Sequence, residues 1–385
     1  MTRSIAMGVV GVGAVSLRGI IPHLTQPDVR TKVKLTALCD PVAERVTGAA
    51  KRFAVPQAFT DYDRFLREAD IEAVTIASPI GIHYQQGKQA LLADKHVHFN
   101  KTMTITAAEA GELIDLAKTR NLRIVASPGE MLRPHNRRVK ELIQRGELGT
   151  VTWAMCGATF GTYHEDEPER DAASGSHSID PGWYFRKPGG GPLFDMTVYA
   201  LHGLTGILGP ARRVTALSGI RIPIRHFGGR TIQTECDDNT VMLLDFGESQ
   251  FAVVYGTAAG KAQRLLDYSG AYFGTKGTIE GLLLNGEPFD YPGRAIAVTA
   301  PDGGLRPASG GSGCGNEWIL PHIHAGHRDI PEQHVFADIM ELIDWVRDGT
   351  PSIVTADHAR HVIEIIECAY LAAESGATQT LTTAF

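Results

Sequence analysis

Three side chains that can exchange or stabilise protons stand at spacings that favour one shared site. Lys101 directly follows an apolar run, His96–Phe99, that predicts a β-strand, so its ammonium group is expected at the end of a sheet. Asp195 and Tyr199 lie four residues apart, which places them on one face of a helix. A nearby lysine cation would lower the pKa of the phenol from its usual value of about 10. We therefore predict these three residues as the catalytic group, with Tyr199 as proton donor or acceptor.

A glycine run, Gly189-Gly190-Gly191, precedes Asp195 and lets the backbone pass close to a ligand or to another domain. His202, three residues beyond Tyr199 on nearly the same face, is predicted to join the substrate-binding group. Simpler roles remain open for the same residues. Lys101 also fits a solvated loop, Asp195 a helix cap and Tyr199 a core position.

The elements that must position these side chains begin with a dinucleotide-binding pattern in residues 5–40. An apolar run, Ile5–Val10, stops at a glycine-rich turn, and a helical pattern follows through Leu24. Gly11 permits the tight turn, and Gly13 leaves no side chain between the backbone and a pyrophosphate. The free amides at the helix N-terminus then face the negative charge. The cofactor contacts predicted in this turn are Gly11, Gly13, Ala14 and Val15.

A second apolar run, Val33–Cys39, ends on Asp40. A carboxylate at this position accepts hydrogen bonds from both ribose hydroxyls and repels a 2′-phosphate, so the sequence predicts NAD rather than NADP as the cofactor. For the glycine pattern alone, an ordinary strand–helix–strand turn without a ligand is the simpler alternative.

Alternating apolar runs and helical patterns continue to about residue 126 and predict a parallel sheet wrapped by helices. The predicted strands are Ile71–Ala77, His96–Phe99 and Leu122–Ala126, and the predicted helices are Tyr84–Ala93 and Ala107–Thr119. Open sheets of this kind bind ligands at the carboxyl ends of their strands. The further cofactor contacts predicted at this edge are Ser78, Pro79, His83, Asn100 and Lys101.

After a helix near Arg137–Arg145, the sequence becomes rich in β-branched and aromatic residues, which predicts a largely antiparallel sheet. Its predicted strands are Val151–Phe160, Val214–Ile222, Asn239–Phe246, Gln250–Thr257 and Tyr268–Tyr272. Thr162–Gly182 is long enough for a functional loop or a surface excursion, and Asp302–Asn316 is dense in Gly, Ser and Pro. Helices are predicted to return at Gln333–Arg347 and Asp357–Ser375.

The bulk composition limits the possible partners. A chain of 385 residues is long for one hydrophobic core, which predicts two domains. A net charge of −6 without a basic run argues against a nucleic-acid partner. We recognise neither an N-terminal signal nor a membrane-spanning run, so no membrane partner is expected. The five cysteines are scattered without metal-ligand spacing and are expected to be reduced in a cytoplasmic protein.

Other candidates carry weaker signals. Substrate contacts on expected loops are predicted for Glu130, Arg133 and His177. Four histidines crowd residues 322–334, but the segment lacks a helical His pair with a glutamate, so no metal site is predicted. With Arg328 they are instead expected to line a cleft or a subunit contact. These histidines are His322, His324, His327 and His334.

The dinucleotide unit, the lysine after a strand and the glycine–Asp–Tyr segment together resemble the glucose–fructose oxidoreductase / inositol dehydrogenase / rhizopine-catabolism family (Gfo/Idh/MocA). The resemblance covers essentially the whole chain, including Gly146-Glu147-Leu148-Gly149 before the second domain. The family's Glu-Lys-Pro motif falls on Asn100-Lys101-Thr102, and without the proline no cis peptide is expected there. The segment from Asp195 to Tyr199 resembles the subgroup that uses tyrosine as acid/base. Trp183 corresponds to an aromatic residue that faces the sugar.

This resemblance implies an α/β fold with two domains. An NAD-binding Rossmann domain over residues 1–127 is expected beside an α+β domain over residues 128–385. The second domain would carry an open-faced, mostly antiparallel sheet for substrate binding and oligomerisation. A homodimer or homotetramer is expected from the resemblance.

The activity expected from the resemblance is NAD-dependent hydride transfer to or from a secondary alcohol or ketone of a sugar, sugar derivative or cyclitol. Tyr199 would exchange the hydroxyl proton, Lys101 would stabilise the alkoxide, and Asp195 would fix a substrate hydroxyl. Two alternatives remain. An NAD-dependent glycoside-cleaving enzyme would oxidise the sugar only transiently, and a regulator of this fold would bind NAD without turnover.

Overall fold

The computed structural model describes residues 3–159, 161, 181–227, 229–260, 270–294 and 319–385. The segment Asp302–Asn316 and most of Thr162–Gly182, including His177, lie outside these residues. The described chain forms two large sheets with helices packed against them, and the predicted α/β architecture is confirmed.

The first sheet is parallel and has the strand order β3-β2-β1-β4-β5-β6. Its strands are β1 (Ile5–Val10), β2 (Val33–Cys39), β3 (Gln57–Phe59), β4 (Ala73–Ile76), β5 (His96–Phe99) and β6 (Ile124–Ala126). The order reverses between β1 and β4, so a crevice opens at the carboxyl ends of these two strands. The glycine turn, Asp40 and Lys101 all follow strands at this edge.

Helices cover both faces of the first sheet. A π-type turn, Ser16–Ile20, leads into the first of them. They are α1 (Ile21–Leu24), α2 (Ala43–Phe53), α3 (Tyr62–Glu68), α4 (His83–Leu92) and α5 (Ala107–Thr119). The N-terminus of α5 is fixed by a capping box, in which the Thr106 hydroxyl accepts from the Glu109 amide and the Glu109 carboxylate accepts from the Thr106 amide.

The second sheet has the order β16-β15-β14-β13-β7-β12-β11-β8-β17. Neighbouring strands run antiparallel except β7 and β12, which pair in parallel. Its longer strands are β7 (Val151–Thr159), β8 (Arg213–Gly219), β11 (Asn239–Gly247), β12 (Gln250–Thr257) and β13 (Ala271–Gly274). Its short strands are β14 (Thr278–Glu280), β15 (Leu283–Leu284), β16 (Glu287–Pro288) and β17 (Gln379–Thr380). A separate hairpin joins β9 (Ile224–Phe227) to β10 (Arg230–Gln233).

Four further helices pack between and behind the sheets. They are α6 (Pro134–Gln144), α7 (Val198–Leu208), α8 (Gln333–Asp348) and α9 (Ala356–Ser375). Helices α6, α7 and α9 share a core with the inner face of the second sheet. Helix α8 instead packs in the core of the first sheet, through Phe336 and Ile339 among others. The division of the chain into two domains at residue 127/128 remains a prediction. It assigns α8 to the second domain, although this helix packs mainly in the core of the first sheet.

The outer face of the second sheet carries exposed apolar side chains. Leu217 on β8 is 75% exposed, Leu243 on β11 is 50% exposed and Phe251 on β12 is 48% exposed. Trp153 on β7 stacks on Phe273 at a ring-centroid distance of 4.1 Å. Patches of this kind on a protein surface usually contact another molecule. Among the described helices, none combines the length and the apolar composition needed to cross a bilayer.

Candidate active site

The glycine turn after β1 has the shape that the sequence predicts. Gly11 has a φ of +85°, and a Cβ there would lie 2.6 Å from the backbone nitrogen of Ser78. Among the described residues, no heavy atom lies within 4 Å of a Cβ built on Gly13. The Ser16 hydroxyl donates to the Gly11 carbonyl oxygen at 2.5 Å. The turn is therefore held in place by contacts at Gly11 and is open at Gly13, where a pyrophosphate would approach.

Asp40 is buried at the end of β2 and organises the same edge. Its Oδ2 accepts from the Val12 amide at 2.8 Å, and its Oδ1 accepts from the Val42 amide at 2.9 Å. The Arg45 guanidinium contacts both carboxylate oxygens, at 3.2 and 3.3 Å. This carboxylate therefore ties the glycine turn to β2, in the position predicted for a ribose contact.

Lys101 and Asp195 form an ion pair at the carboxyl edge of the first sheet. Nζ of Lys101 pairs with Oδ1 of Asp195 and donates to the Asp195 carbonyl oxygen at 2.7 Å. The two side chains are only 14% and 7% exposed, so water screens the pair weakly. The solvated-loop alternative for Lys101 is wrong. Asn100 lies in the same turn, where its Oδ1 accepts from the Lys101 amide at 2.9 Å.

Tyr199 lies against the same ammonium group. Nζ of Lys101 lies over the Tyr199 ring, 5.6 Å from the centroid, and the ring is 8% exposed. The phenol oxygen is 3.0 Å from Nε2 of His334 on α8. Asp195 lies in a π-type turn, Leu193–Thr197, directly before α7, and Tyr199 lies in the first turn of α7. The predicted group of lysine, carboxylate and phenol therefore converges.

The glycine run Gly189-Gly190-Gly191 lets the segment before α7 approach the first domain closely. A Cβ on Gly190 would lie 2.3 Å from the Arg186 carbonyl oxygen, so no other side chain fits there. Gly189 has a φ of +83°, and its Cβ would lie 3.2 Å from the Gly81 nitrogen in the first domain. The sequence predicts that the glycine run approaches either a ligand or another domain. The described residues show the second case, since the run lies close to Gly81 of the first domain.

The peptide bond between Lys101 and Thr102 is cis, which corrects the expectation drawn from the missing proline. Contacts with distant residues hold Thr102: its hydroxyl donates to the Phe194 carbonyl oxygen at 2.6 Å, and its own carbonyl oxygen lies 2.8 Å from Nδ1 of His83. These partners are 92 and 19 residues away in the sequence, which is why the local pattern does not reveal them.

His83 has a different role from the predicted cofactor contact. Its ring is fully buried, and its Nε2 lies 2.7 Å from the Ser78 carbonyl oxygen. Burial lowers the pKa of this imidazole below its ordinary value. His83 therefore connects the turn after β4 to the turn that carries Lys101, behind the surface that would face the cofactor. Ser78 is half-buried and Pro79 is exposed at this edge, and their contacts with the cofactor stay a prediction.

Three predicted substrate contacts are instead buried in contacts with other protein side chains. Glu130 and Arg133 form a buried ion pair at 3.1 Å, with side chains 3% and 2% exposed. His202 is 3% exposed, and its ring packs against His358 on α9 at a centroid distance of 4.5 Å. Burial with internal partners leaves these groups little surface for a substrate, which argues against their predicted role as substrate contacts. Trp183 remains a candidate, since it is half-buried and lies edge-on to Tyr184.

His334 is the residue that sequence reasoning failed to place. The histidines of residues 322–334 form a recognisable group in the sequence, but only His334 contacts Tyr199 among the described ones. His322 pairs with Asp344, and His324 and His327 pair with Asp28. Within the described residues, no three His, Cys, Asp or Glu side chains are arranged to hold a metal ion.

Comparison with known proteins identifies the family. The N-terminal domain model of the Gfo/Idh/MocA family, an oxidoreductase family with an NAD-binding Rossmann fold, matches residues 5–128. The C-terminal domain model of the same family matches residues 136–280. The chain belongs to the Gfo/Idh/MocA family. It is an oxidoreductase with an NAD-binding Rossmann domain, as the glycine turn and Asp40 predict.

Individual relatives align at modest identity. A dTDP-3,4-didehydro-2,6-dideoxy-α-D-glucose 3-reductase from Saccharopolyspora spinosa is 31% identical over 64% of this chain and 69% of its own length. A D-xylose 1-dehydrogenase (NADP+) from Hypocrea jecorina is 25% identical over 78% of this chain and 79% of its own. Some other curated relatives align over only about half of their length, between 43% and 57%.

Solved structures show the same fold over the whole chain. The WlbA dehydrogenase from Bordetella pertussis, solved with NADH and UDP-GlcNAcA, superposes with a TM-score of 0.71. The superposition covers 99% of both chains at 17% sequence identity. At this identity the likeness establishes the architecture of a Rossmann domain beside an open sheet.

Proposed function

We propose that this member of the family transfers a hydride between NAD and a secondary alcohol or ketone of a sugar, sugar derivative or cyclitol. The observation that carries the proposal is the convergence of Lys101, Asp195 and Tyr199 at the carboxyl edge of the first sheet, where open α/β sheets bind their ligands. A cation, a carboxylate and a phenol are the groups that a hydroxyl-to-carbonyl conversion needs beside a hydride acceptor.

The residues present fit the cofactor. Gly11 holds the turn by its positive φ, and the space over Gly13 is open for a pyrophosphate. Asp40 follows β2, the position at which dinucleotide-binding folds bind the ribose, and Arg45 is its present partner. Bound NAD would supply the hydride acceptor, and the protein would supply position and charge.

Each member of the group has a role in the proposed reaction. Tyr199 takes the hydroxyl proton of the substrate, or returns it in the reductive direction. Lys101 stabilises the negative charge that develops on the substrate oxygen, since its ammonium group is largely shielded from water. Asp195 holds Lys101 through the ion pair, and its carboxylate accepts from a neighbouring substrate hydroxyl. In this assignment the chain falls in the tyrosine-type subgroup.

The choice of substrate class is supported by the relatives. Two of them are named for sugar substrates, a dTDP-linked keto sugar and D-xylose. The WlbA dehydrogenase was solved with a UDP-linked sugar acid. We extend this substrate class to the present chain because its site has the same fold and the polar groups that bind hydroxyls.

A screen of sugars, nucleotide sugars, cyclitols and glycosides with NAD tests the proposal, with NADH absorbance and product analysis as the readouts. NADH formed in equal amount with a keto product supports the proposal. Cleaved glycoside without net NADH would favour transient oxidation, and tight NAD binding without turnover of any compound would favour a regulator.

The role of Tyr199 is tested separately with Tyr199→Phe, which should lower kcat by a factor on the order of 10² to 10⁴ while NAD affinity stays the same. Tyr84→Phe is the matched control, because its hydroxyl contacts Glu112 on the exposed surface. Unchanged kcat in Tyr199→Phe would contradict the proposed proton transfer.

We also propose that the protein forms a homodimer or homotetramer in the cytoplasm through the outer face of the second sheet. Leu217, Leu243 and Phe251 give this face the apolar surface that a subunit contact buries. The described thiols are unpaired, which fits a reducing compartment. Light scattering should give a multiple of the 41.6 kDa chain mass, and Leu243→Asp should lower it.

A further inference from the structure

The hydroxyl end of Tyr199 has a neighbour that the proposed function does not use. There the phenol oxygen lies 3.0 Å from Nε2 of His334, and the two rings meet edge-on at a centroid distance of 5.6 Å. Both side chains are buried, at 8% and 6% exposure. A phenol that exchanges protons with a substrate must itself gain or lose a proton, and buried Tyr199 has an imidazole within hydrogen-bond distance for this purpose.

A second carboxylate lies near the same nitrogen of this imidazole. Oε2 of Glu332 lies 3.7 Å from Nε2 of His334, and Oε1 of Glu332 accepts from Nε of Arg18 at 2.7 Å. Arg18 is 34% exposed in its side chain and lies in the π-type turn after the glycine turn. Nε2 of His334 thus contacts the phenol and lies near the Glu332 carboxylate, which pairs with the partly exposed Arg18.

The local backbone conformation places Glu332 beside His334 and Arg18. Glu332 itself has a φ of +63°, a left-handed conformation that non-glycine residues rarely adopt. A Cβ on Gly19 would lie 2.4 Å from the Cβ of Glu332, so the approach depends on glycine there. This placement turns the Glu332 carboxylate towards both His334 and Arg18.

We propose that His334 is the proton-accepting and positioning partner of Tyr199, an inference that rests on the proposed function. Bound NAD would supply the hydride acceptor, and in the oxidative direction the substrate hydroxyl proton passes to Oη of Tyr199. The phenolic proton passes at the same time to Nε2 of His334. The imidazolium that forms is stabilised by the Glu332 carboxylate, and the reductive direction reverses each transfer. No net charge is left on the phenol.

The charged and titratable groups around His334 set its pH behaviour. Asp338 lies one helical turn further along α8, and burial raises the pKa of its carboxyl to about 7. Glu130 lies near Asp338, and Lys101 lies beyond the Tyr199 ring. The groups that face His334 directly or through one neighbour are therefore Tyr199, Glu332, Asp338, Arg18, Lys101 and Glu130.

The test compares His334→Asn and His334→Ala with the wild type. Asparagine can keep a hydrogen bond to the phenol but cannot accept a proton, so a purely structural role would survive in His334→Asn. His324→Asn is the matched control, since His324 lies in the same segment with a 64% exposed side chain. His334→Gln serves as a second variant, and thermal unfolding and NAD affinity show whether each variant folds.

We expect His334→Asn to lower kcat by a factor on the order of 10² with little change in KM, and to remove one limb of the kcat–pH profile. Added imidazole should partly restore the rate of His334→Ala. Wild-type rates and an unchanged pH profile in His334→Asn would overturn the proposal.

A second measurement is independent of turnover. ¹⁵N NMR of histidine-labelled protein should show Nε2 of His334 without a proton above the pKa of the imidazole, and Tyr199→Phe should shift this resonance. A protonated Nε2 that donates to the phenol would overturn the proposal. If the wild type oxidises no sugar while NMR shows the expected tautomer, the proposed function fails but the Tyr199–His334 proton contact stands.

Discussion

Replacing Lys101 with methionine should destabilise the protein, because it leaves the Asp195 carboxylate buried without its cation. The two side chains are 14% and 7% exposed, so solvent cannot take over the role of the lysine. Two unit charges about 4 Å apart interact by about 4 kcal/mol at an effective dielectric constant of about 20. Removing one partner of a buried pair typically costs roughly 3–5 kcal/mol. We expect the free energy of unfolding of Lys101→Met to fall by roughly this amount.

The loss should be specific to the unpaired charge. Lys101→Met/Asp195→Asn removes both charges and should recover most of the stability. Because an unpaired buried carboxyl takes up a proton more readily, the deficit of Lys101→Met should also shrink as the pH falls. Lys88→Met is the control: its pair with Glu112 is 41% and 50% exposed, so water screens the pair and its loss should leave stability nearly unchanged.

Urea unfolding followed by fluorescence and by far-UV circular dichroism measures these differences, and coincident transitions justify a single free energy for each variant. A Lys101→Met protein as stable as the wild type at neutral pH would refute the reasoning. So would a double variant that is less stable than the single one.

Three further predictions follow from the remaining geometry. Burial lowers the pKa of His202 to about 3 and of His361 to about 4. Because the folded protein holds both imidazoles neutral, their stabilising contribution is full above about pH 6.5 and is lost as the pH falls towards 4. Acid unfolding should therefore begin at lower pH in His361→Asn. Asp40→Ala should weaken NAD binding and relax discrimination against NADP, measured by calorimetry with each cofactor. Gly190→Ala would place a methyl group 2.3 Å from a carbonyl oxygen and should lower stability by about 1–3 kcal/mol, measured by urea unfolding.

Local patterns were sufficient for several of the regular elements. The strand His96–Phe99 and the helix Ala107–Thr119 have the bounds predicted from the sequence. The N-terminus of the helix is marked in the sequence, since Thr106 and Glu109 form a capping box. By contrast, β3 and the β9–β10 hairpin were not predicted, because such short strands carry little periodic signal.

The convergence of Lys101, Asp195 and Tyr199 was also predictable, since spacing and neighbouring glycines marked these residues. Residues whose role depends on a distant partner were not. A glutamate in an expected loop is a reasonable ligand contact, but Glu130 instead pairs with Arg133 in the interior. That pairing depends on how the elements pack, which the local sequence does not show. His334 approaches Tyr199 from 135 residues further along the chain, and nothing local distinguishes it from the neighbouring histidines.

The most direct test of the account is a crystal structure of the protein with NAD and a substrate identified by the screen. We predict that Nζ of Lys101 and Oη of Tyr199 both lie within about 3.2 Å of one substrate oxygen. The carbon that bears this oxygen should face the reactive carbon of the nicotinamide. A substrate oxygen bound by other side chains, with Lys101 and Tyr199 turned away from the nicotinamide, would contradict the account.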